Sequence, residues 1–283
     1  MSGSKRIFWR VVFWLALAVF AISAGALAYF AYTYWKADAD YADVASKAFP
    51  VSESSASAPL SLSDMTVDWD YLRSVNEDVV AWVYVPGTRI NYPVVQGANN
   101  DEYLHTSFSQ DGSFGGRGGA IFLDTLCAPD FSSGNSVMYG HHMNDGSMFA
   151  ALSDDLTSQE GFNAVRTVYV LTPARNFKCD LFALVRTTGS DLLAQADFAT
   201  DTDRVRYVQD KIDRSIVRPD GGFPSAEAVG QLFTLATCDY AQKDGRAIAF
   251  ARVTETAVPG GRASGGIVDA GDASAVRSAA SGE

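Results

Sequence analysis

Cysteine and histidine are both scarce in this chain, three of each in 283 residues. Cys127, Cys179 and Cys238 form no CxxC pair, and His105, His141 and His142 do not fall at zinc-ligand spacing around them, which excludes a structural zinc fold. Adjacent histidines do not readily chelate one ion together, and no third ligand stands at a suitable spacing, so no metal and no cofactor is expected. An odd number of thiols in an exported protein leaves at least one unpaired. Cys127 and Cys179 are either a disulfide or two buried small apolar residues, and the second reading is the commoner fate of a cysteine. Basic residues are short too. Lys and Arg total 22 against 33 acids, a net charge of −11, and the absence of a basic patch excludes a nucleic-acid partner. An acidic body keeps a domain soluble and suits a cationic, amine-bearing partner. There is no internal repeat. The glycine-rich run GSFGGRGG (112–119) lacks the Lys-Ser/Thr of a phosphate loop and reads as a flexible connection.

Only one long apolar run is present, so a channel or transporter is excluded. Residues 11–35 contain no charged side chain. As a helix they extend ~37 Å at about 1.5 Å per residue, enough to cross a hydrocarbon core of about 30 Å with some tilt. A cleaved signal peptide has a shorter apolar region, of about 7–15 residues, so an uncleaved anchor is the better reading. Lys5, Arg6 and Arg10 precede the run, and Asp38, Asp40 and Asp43 follow it. The positive-inside tendency puts 1–10 in the cytoplasm and everything after the anchor outside the cell, in a single-pass arrangement at the cell membrane.

Residues 36–65 are rich in Ala, Ser and Asp and read as a linker. Residues 66–253 have the size of one domain, and 254–283 read as a disordered tail. Within the domain, WDYLRSVNEDVVAW begins as a helix and ends as a strand. Strand-like runs follow at 89–95, 120–124, 136–140, 167–172, 179–187, 231–238 and 246–253. Pro93 suggests an edge or a strand end. SMFAALSDDL and 201–216 read as helices, the latter with Val205, Val208, Ile212 and Ile216 at helical spacing. A mostly β domain follows, a barrel or sandwich with peripheral helices.

Cys238 ends the apolar run QLFTLATC and precedes a polar loop. A thiol there is rigidly held yet reachable. A free cysteine of pKa about 8.5 is mostly protonated at neutral pH and needs an imidazole to take its proton. His141 and His142 follow the strand SVMYG. If the chain is still extended there, the two rings point to opposite sides and only one faces the thiol. Arg246 follows from hairpin geometry. If 231–238 and 246–253 pair antiparallel across the loop 239–245, Arg246 lies beside Cys238, whereas Arg252 lies ~20 Å away at about 3.3 Å per residue. A guanidinium aimed at a developing oxyanion stabilises a tetrahedral intermediate.

These residues resemble the sortases, class B most closely, over about 68–253. The signatures are TLATC (234–238), which resembles the family's TLxTC; YGHH (139–142) followed by MNDGSMF; and the Gly-Arg at 245–246. NYPVVQGANNDEYLHTSF (91–108) looks like the class B segment beside the substrate groove. The resemblance implies a closed, eight-stranded β-barrel with peripheral helices. It implies Cys238 as nucleophile, His141, directly after the glycine, as its proton partner, and Arg246 as oxyanion stabiliser. It implies Asn91, Tyr92 and Thr237 as substrate-binding positions. It also implies a cysteine transpeptidase that cleaves a C-terminal sorting signal (NPxTx-like) of secreted proteins at Thr and passes the acyl group to an amine of peptidoglycan or a pilin. Ala236 stands where class B members often carry Ser, and the helix at 201–216 fits class B. Two alternatives compete. Another exported cysteine peptidase is disfavoured because papain-like enzymes place Cys before His and the SHGC type of L,D-transpeptidase signature is absent. A non-catalytic surface binding module is disfavoured by the intact Cys-His-Arg trio.

Overall fold

The computed structural model describes residues 3–50, 61–110, 118–189, 191, 195–239 and 244–260. Most of the glycine-rich run, the middle of the expected linker and most of the expected tail lie outside these residues. Eight strands close into a barrel: β1 (Val79–Tyr84), β2 (Asn91–Val95), β3 (Ile121–Leu123), β4 (Asn135–Tyr139), β5 (Thr167–Leu171), β6 (Asn176–Thr188), β7 (Leu232–Asp239) and β8 (Gly245–Ala257). Around the barrel their order is β1-β2-β3-β4-β7-β8-β6-β5, with β5 returning to β1. The β2–β3 and β4–β7 pairs are parallel and the others antiparallel. Parallel neighbours need long crossovers. Helices α1 (Gly3–Ala48) and α2 (Trp69–Val75) precede the barrel, and the crossover from β4 to β7 carries α3 (Ala151–Asp154), α4 (Gln159–Ala164), β5, β6 and α5 (Asp201–Asp213).

The alternation of the strand-like runs is patchy because many strands are covered on both faces. β3 is buried at every residue and β4 at all but Tyr139. One apolar cluster fills the barrel and includes Val83, Val94, Phe177, Phe233 and Leu235. A second lies under the N-terminal segments around Trp82, Phe108 and Phe122, and a third under α5 around Phe182, Val208 and Phe250. Buried on both sides, a strand has no polar face to alternate with. Pro93 pairs with Trp82 of β1, while pairing with β3 begins only at Val94. It is therefore the middle residue of β2 and not a strand end, at a point where the strand is paired on one side alone.

Several expected boundaries move. Residues 36–48 are not a linker: α1 runs unbroken from Gly3 to Ala48. Its last turns dock on the barrel through buried Val44 and Ala48, followed by buried Phe49. Ala dominates this stretch, and Lys36–Asp40 and Asp43–Lys47 form pairs at i,i+4 spacing that favour a helix. Further back, the large apolar side chains of α1 such as Phe13, Leu15, Phe20 and Leu27 are exposed, and the helix is long and apolar enough to cross a membrane. At the other end, β8 continues past 253 to Ala257, and Gly260 N–H donates to Ser63 O. Helix α5 stops at Asp213, so Ile216 lies beyond it and is exposed.

Phe233 is fully buried between the rings of Phe131 and Phe177, with centroids 5.9 and 5.2 Å away. Phe233→Ala is expected to cost about 3–5 kcal/mol, read as a lower denaturant midpoint at unchanged m-value.

Candidate active site

The β7–β8 ladder places Cys238 directly opposite Arg246, whereas Arg252 is opposite Leu232, six residues down the strand. Directly opposed residues share a face, with Cβ atoms about 4.5–5.5 Å apart. Strand β4 runs parallel to β7 on its other side, pairing Tyr139 with Ala236, and the ladder extends one step as Gly140 N–H donates to Ala236 O at 3.1 Å. His141 therefore emerges at the same rim of the barrel as Cys238. Thiol, imidazole and guanidinium, with Thr237, all line one cleft of about 510 Å³.

Gly140 serves this convergence by its size. It does not occupy the left-handed region. A Cβ there would stand 2.4 Å from Ile121 Cδ1 and 2.7 Å from Phe149 Cγ. The close approach packs the strand end onto β3 and the segment following His141.

The imidazole of His141 is held from two sides. Its carbonyl accepts from Phe149 N–H at 2.9 Å, and its Nε2 lies 2.6 Å from Leu104 O. A carbonyl only accepts, so Nε2 carries the proton. That tautomer leaves Nδ1 as the basic nitrogen. The His105 ring is roughly parallel to it, 6.3 Å away. His142 diverges, as period-2 geometry requires. Its Nε2 meets the Asp154 carboxylate at 3.0 Å, its backbone bridges to Met148, and it does not line the cleft. Arg246 donates to Gly245 O at 2.9 Å and meets Asp244 at 3.2 Å.

The apolar wall of the cleft includes Leu104, Phe122 and the exposed Leu126. The acidic side holds Asp124, which is buried yet saturated with donors: Tyr139 Oη at 2.8 Å, Asn100 Nδ2 at 3.0 Å and Leu126 N–H at 2.8 Å. Burial, reinforced by the Asp124 carboxylate, pushes the Tyr139 hydroxyl well above its ordinary pKa, so it remains a donor. Asp191 accepts from Thr187 Oγ1 at 2.9 Å and pairs with Arg214 of α5. Thr237 Oγ1 is buried with no hydrogen-bond partner among the described residues. Among the described residues no His, Cys, Asp and Glu cluster is placed to hold a metal.

Asn91 and Tyr92 are not in this cleft. They line a larger groove of about 780 Å³ beneath α1, which contains none of the three reactive side chains. Two strands, β3 and β4, stand between β2 and β7. At about 4.8 Å per strand step, Tyr92 lies three steps, roughly 14 Å, around the wall from Cys238. Asn91 Oδ1 accepts from Trp82 Nε1 at 2.7 Å, and Tyr92 Oη accepts from Met148 N–H at 3.0 Å. Leu104 O, Asp124 and Asp244 are site groups that sequence reasoning missed. A backbone carbonyl carries no residue-type signal, and the two aspartates sit among many others.

All three thiols are free. Cys127 and Cys179 are buried, with no disulfide between them. Burial pushes the Cys127 thiol up to about 11 and raises that of Cys179 still further. Cys238 is partly exposed. The arrangement therefore offers one accessible sulfur, one imidazole with a set tautomer and one guanidinium, the parts needed to form and resolve a covalent acyl intermediate.

Comparison with known proteins agrees with this chemistry. A family model described as the Sortase domain matches residues 83–254. Sortase B of Staphylococcus aureus (strain NCTC 8325 / PS 47) is 27% identical over 187 residues, covering 65% of this chain and 74% of that protein. Sortase B of Listeria monocytogenes serovar 1/2a is 31% identical over 168 residues, covering 59% of this chain and 65% of that protein. The crystal structure of sortase B from B. anthracis in complex with AAEK1 superposes with a TM-score of 0.63 at 27% identity, covering 78% of this chain and 97% of that one.

Two outcomes are expected. Iodoacetamide applied to the native protein at pH 8 adds one adduct by intact mass, and none in Cys238→Ala. Gly140→Ala overpacks the β3–β4 contact, costs about 1–3 kcal/mol in denaturant unfolding and slows adduct formation at Cys238.

Proposed function

The chain belongs to the sortase family of cysteine transpeptidases, and from that premise we propose that it cleaves a C-terminal, NPxTx-like sorting signal of secreted proteins after Thr and joins the new carboxyl end to an amine. The observation that carries this reading is the meeting of Cys238, His141 and Arg246, remote in sequence, in one cleft. The Cys238 thiolate attacks the Thr carbonyl carbon, and the carbonyl electron pair moves onto oxygen. Arg246, opposite Cys238 in the ladder, stabilises that oxyanion. The oxyanion collapses, the scissile C–N bond breaks, and the imidazolium of His141 gives its proton to the departing amine. The acyl group remains as a thioester on Cys238. An acceptor amine then attacks the thioester, His141 takes its proton, a new amide forms and the thiolate leaves. Thr237, which lines the same cleft, contacts the substrate beside the reacting carbonyl.

The acceptor is an amine of peptidoglycan or of a pilin, and the acidic side of the cleft suits its charge before deprotonation. Residues 11–35 anchor the chain in the cell membrane, with 1–10 cytoplasmic and the barrel outside. Support comes from the exposed apolar side chains of α1 and from the basic residues that precede them.

Incubation with an NPxTx-type peptide and hydroxylamine is expected to yield the threonine hydroxamate. Cys238→Ala abolishes it, and Arg246→Ala lowers kcat about 100- to 1000-fold. Hydroxamate formation that survives Cys238→Ala excludes the mechanism. Peptide binding without turnover in the native chain identifies a binding module instead.

A further inference from the structure

The end of α1 reaches both backbone segments that grip His141. Tyr41 Oη donates to Gly119 O at 2.9 Å and accepts from Phe108 N–H at 3.2 Å. Phe108 lies four residues after Leu104, and Ala120, next to Gly119, donates its N–H to Tyr103 O at 3.0 Å, so both contacts bear on the segment carrying Leu104, whose carbonyl accepts from His141 Nε2. Gly119 itself is fixed tightly, with φ +56° and with Tyr103 O only 2.5 Å from where a Cβ would stand. On the other flank, the Tyr41 ring meets the Tyr92 ring edge-on, with centroids 5.3 Å apart and an interplanar angle of 90°. Buried Tyr92 accepts from Met148 N–H at 3.0 Å. The next amide, Phe149 N–H, donates to His141 O at 2.9 Å. Asp38, one turn before Tyr41, pairs with Arg89, whose Nη1 donates to Asp145 O at 2.5 Å in the same segment. From opposite sides, these contacts reach the loop before β3 and the loop after β4, and the imidazole stands between them.

We propose that Asp38, Tyr41 and Tyr92 are positioning residues for His141, so that the membrane-proximal turns of α1 form part of the catalytic architecture. None of the three touches the reacting atoms. Tyr41 holds the segment bearing the carbonyl that sets the imidazole tautomer, and Tyr92 with Arg89 holds the loop that fixes the His141 backbone. Small displacements matter here, because a proton donor misplaced by about 1 Å costs up to about 100-fold in rate. The proposal rests on His141 acting as the acid–base group of the proposed function.

The full chain in detergent provides the test, with Tyr41→Phe, Tyr92→Phe and Asp38→Asn compared with Val44→Ala. The Phe variants keep the rings and their packing and remove only the hydroxyls. Val44 is a buried docking residue of α1 that makes none of these hydrogen bonds. Two rates are read: hydroxamate formation, split into kcat and KM, and alkylation of Cys238 by iodoacetamide at neutral pH, with His141→Ala as the reference for a missing imidazole. Tyr41→Phe and Tyr92→Phe are each expected to lower kcat on the order of ten-fold with KM little changed. Both are expected to move the alkylation rate toward that of His141→Ala, with a smaller effect in the same direction from Asp38→Asn. Val44→Ala is expected to lower the Tm and leave both rates near the native values. Native kcat and alkylation rates in both Phe variants overturn the proposal, as does an equal loss in Val44→Ala, which reduces the contact to general docking. A native chain that forms no hydroxamate refutes the proposed function separately, and the alkylation rates then decide the positioning of His141 alone.

Discussion

The proposed reaction needs a sulfur nucleophile and a cation for its product charge on one rigid surface, and the antiparallel register of β7 and β8 brings a thiol and a guanidinium together in that way. Cys238 faces Arg246 across the ladder. A slip of one residue would turn one of them to the other face. The register is pinned along its length. β8 pairs from Gly245 to Arg252 with β7 and from Gly245 to Ala257 with β6. The inward side chains, including Phe233, Leu235, Ala249 and Ala251, belong to the barrel core. Shifting the pair would expose that core, so the apolar interior and the catalytic alignment are enforced by the same contacts.

The imidazole comes from a different part of the chain, and topology delivers it. Because β4 lies parallel to β7, both strands end at the same rim, and the residues just past each end are neighbours. An antiparallel β4 would have carried His141 to the opposite end of the barrel. The cost is a crossover that winds through β5, β6 and α5 before β7, and closing so long a connection is slow to organise. Once formed, it leaves the imidazole on a loop rather than in the ladder. That loop needs its own supports, and Gly140, Leu104 O and Met148 supply them.

Much of this was legible in the sequence. Cys238 and Arg246 could be paired because a short polar loop between two apolar runs implies a hairpin, and a hairpin implies a register. The divergence of His141 and His142 followed from strand periodicity, while the choice between them came from resemblance alone. Barrel closure did not follow from composition, since strands buried on both faces lose the alternation that reports an edge or a solvent face. Residues 36–48 have the composition of a linker but fold as helix for a related reason. Ala, Ser and Asp dominate there, yet Tyr41, Val44 and Ala48 recur at helical spacing and mark the docked face. The placement of Tyr92 was hidden because a motif gives local order along the chain, whereas distance around the barrel depends on which strands intervene.

The charge balance raises a last question, since the proposed reaction needs a guanidinium available for an oxyanion in a protein of net charge −11. Among the described side chains, three aspartates lie near the cleft, and two of them are occupied elsewhere. Asp124 is saturated by Tyr139, Asn100 and the Leu126 amide. Asp191 is taken by Arg214, whose hydrogen bond is the largest cause of its lowered pKa, and by Thr187. Only Asp244 meets Arg246, and its carboxylate is largely exposed. A pair so open to water contributes about 0–1 kcal/mol, whereas an oxyanion formed in a site from which substrate has displaced water interacts far more strongly with the same guanidinium. Asp244 is therefore a weak partner that leaves Arg246 free for the proposed oxyanion. Asp124 and Asp191 do not neutralise the cation, because each already has its own donors.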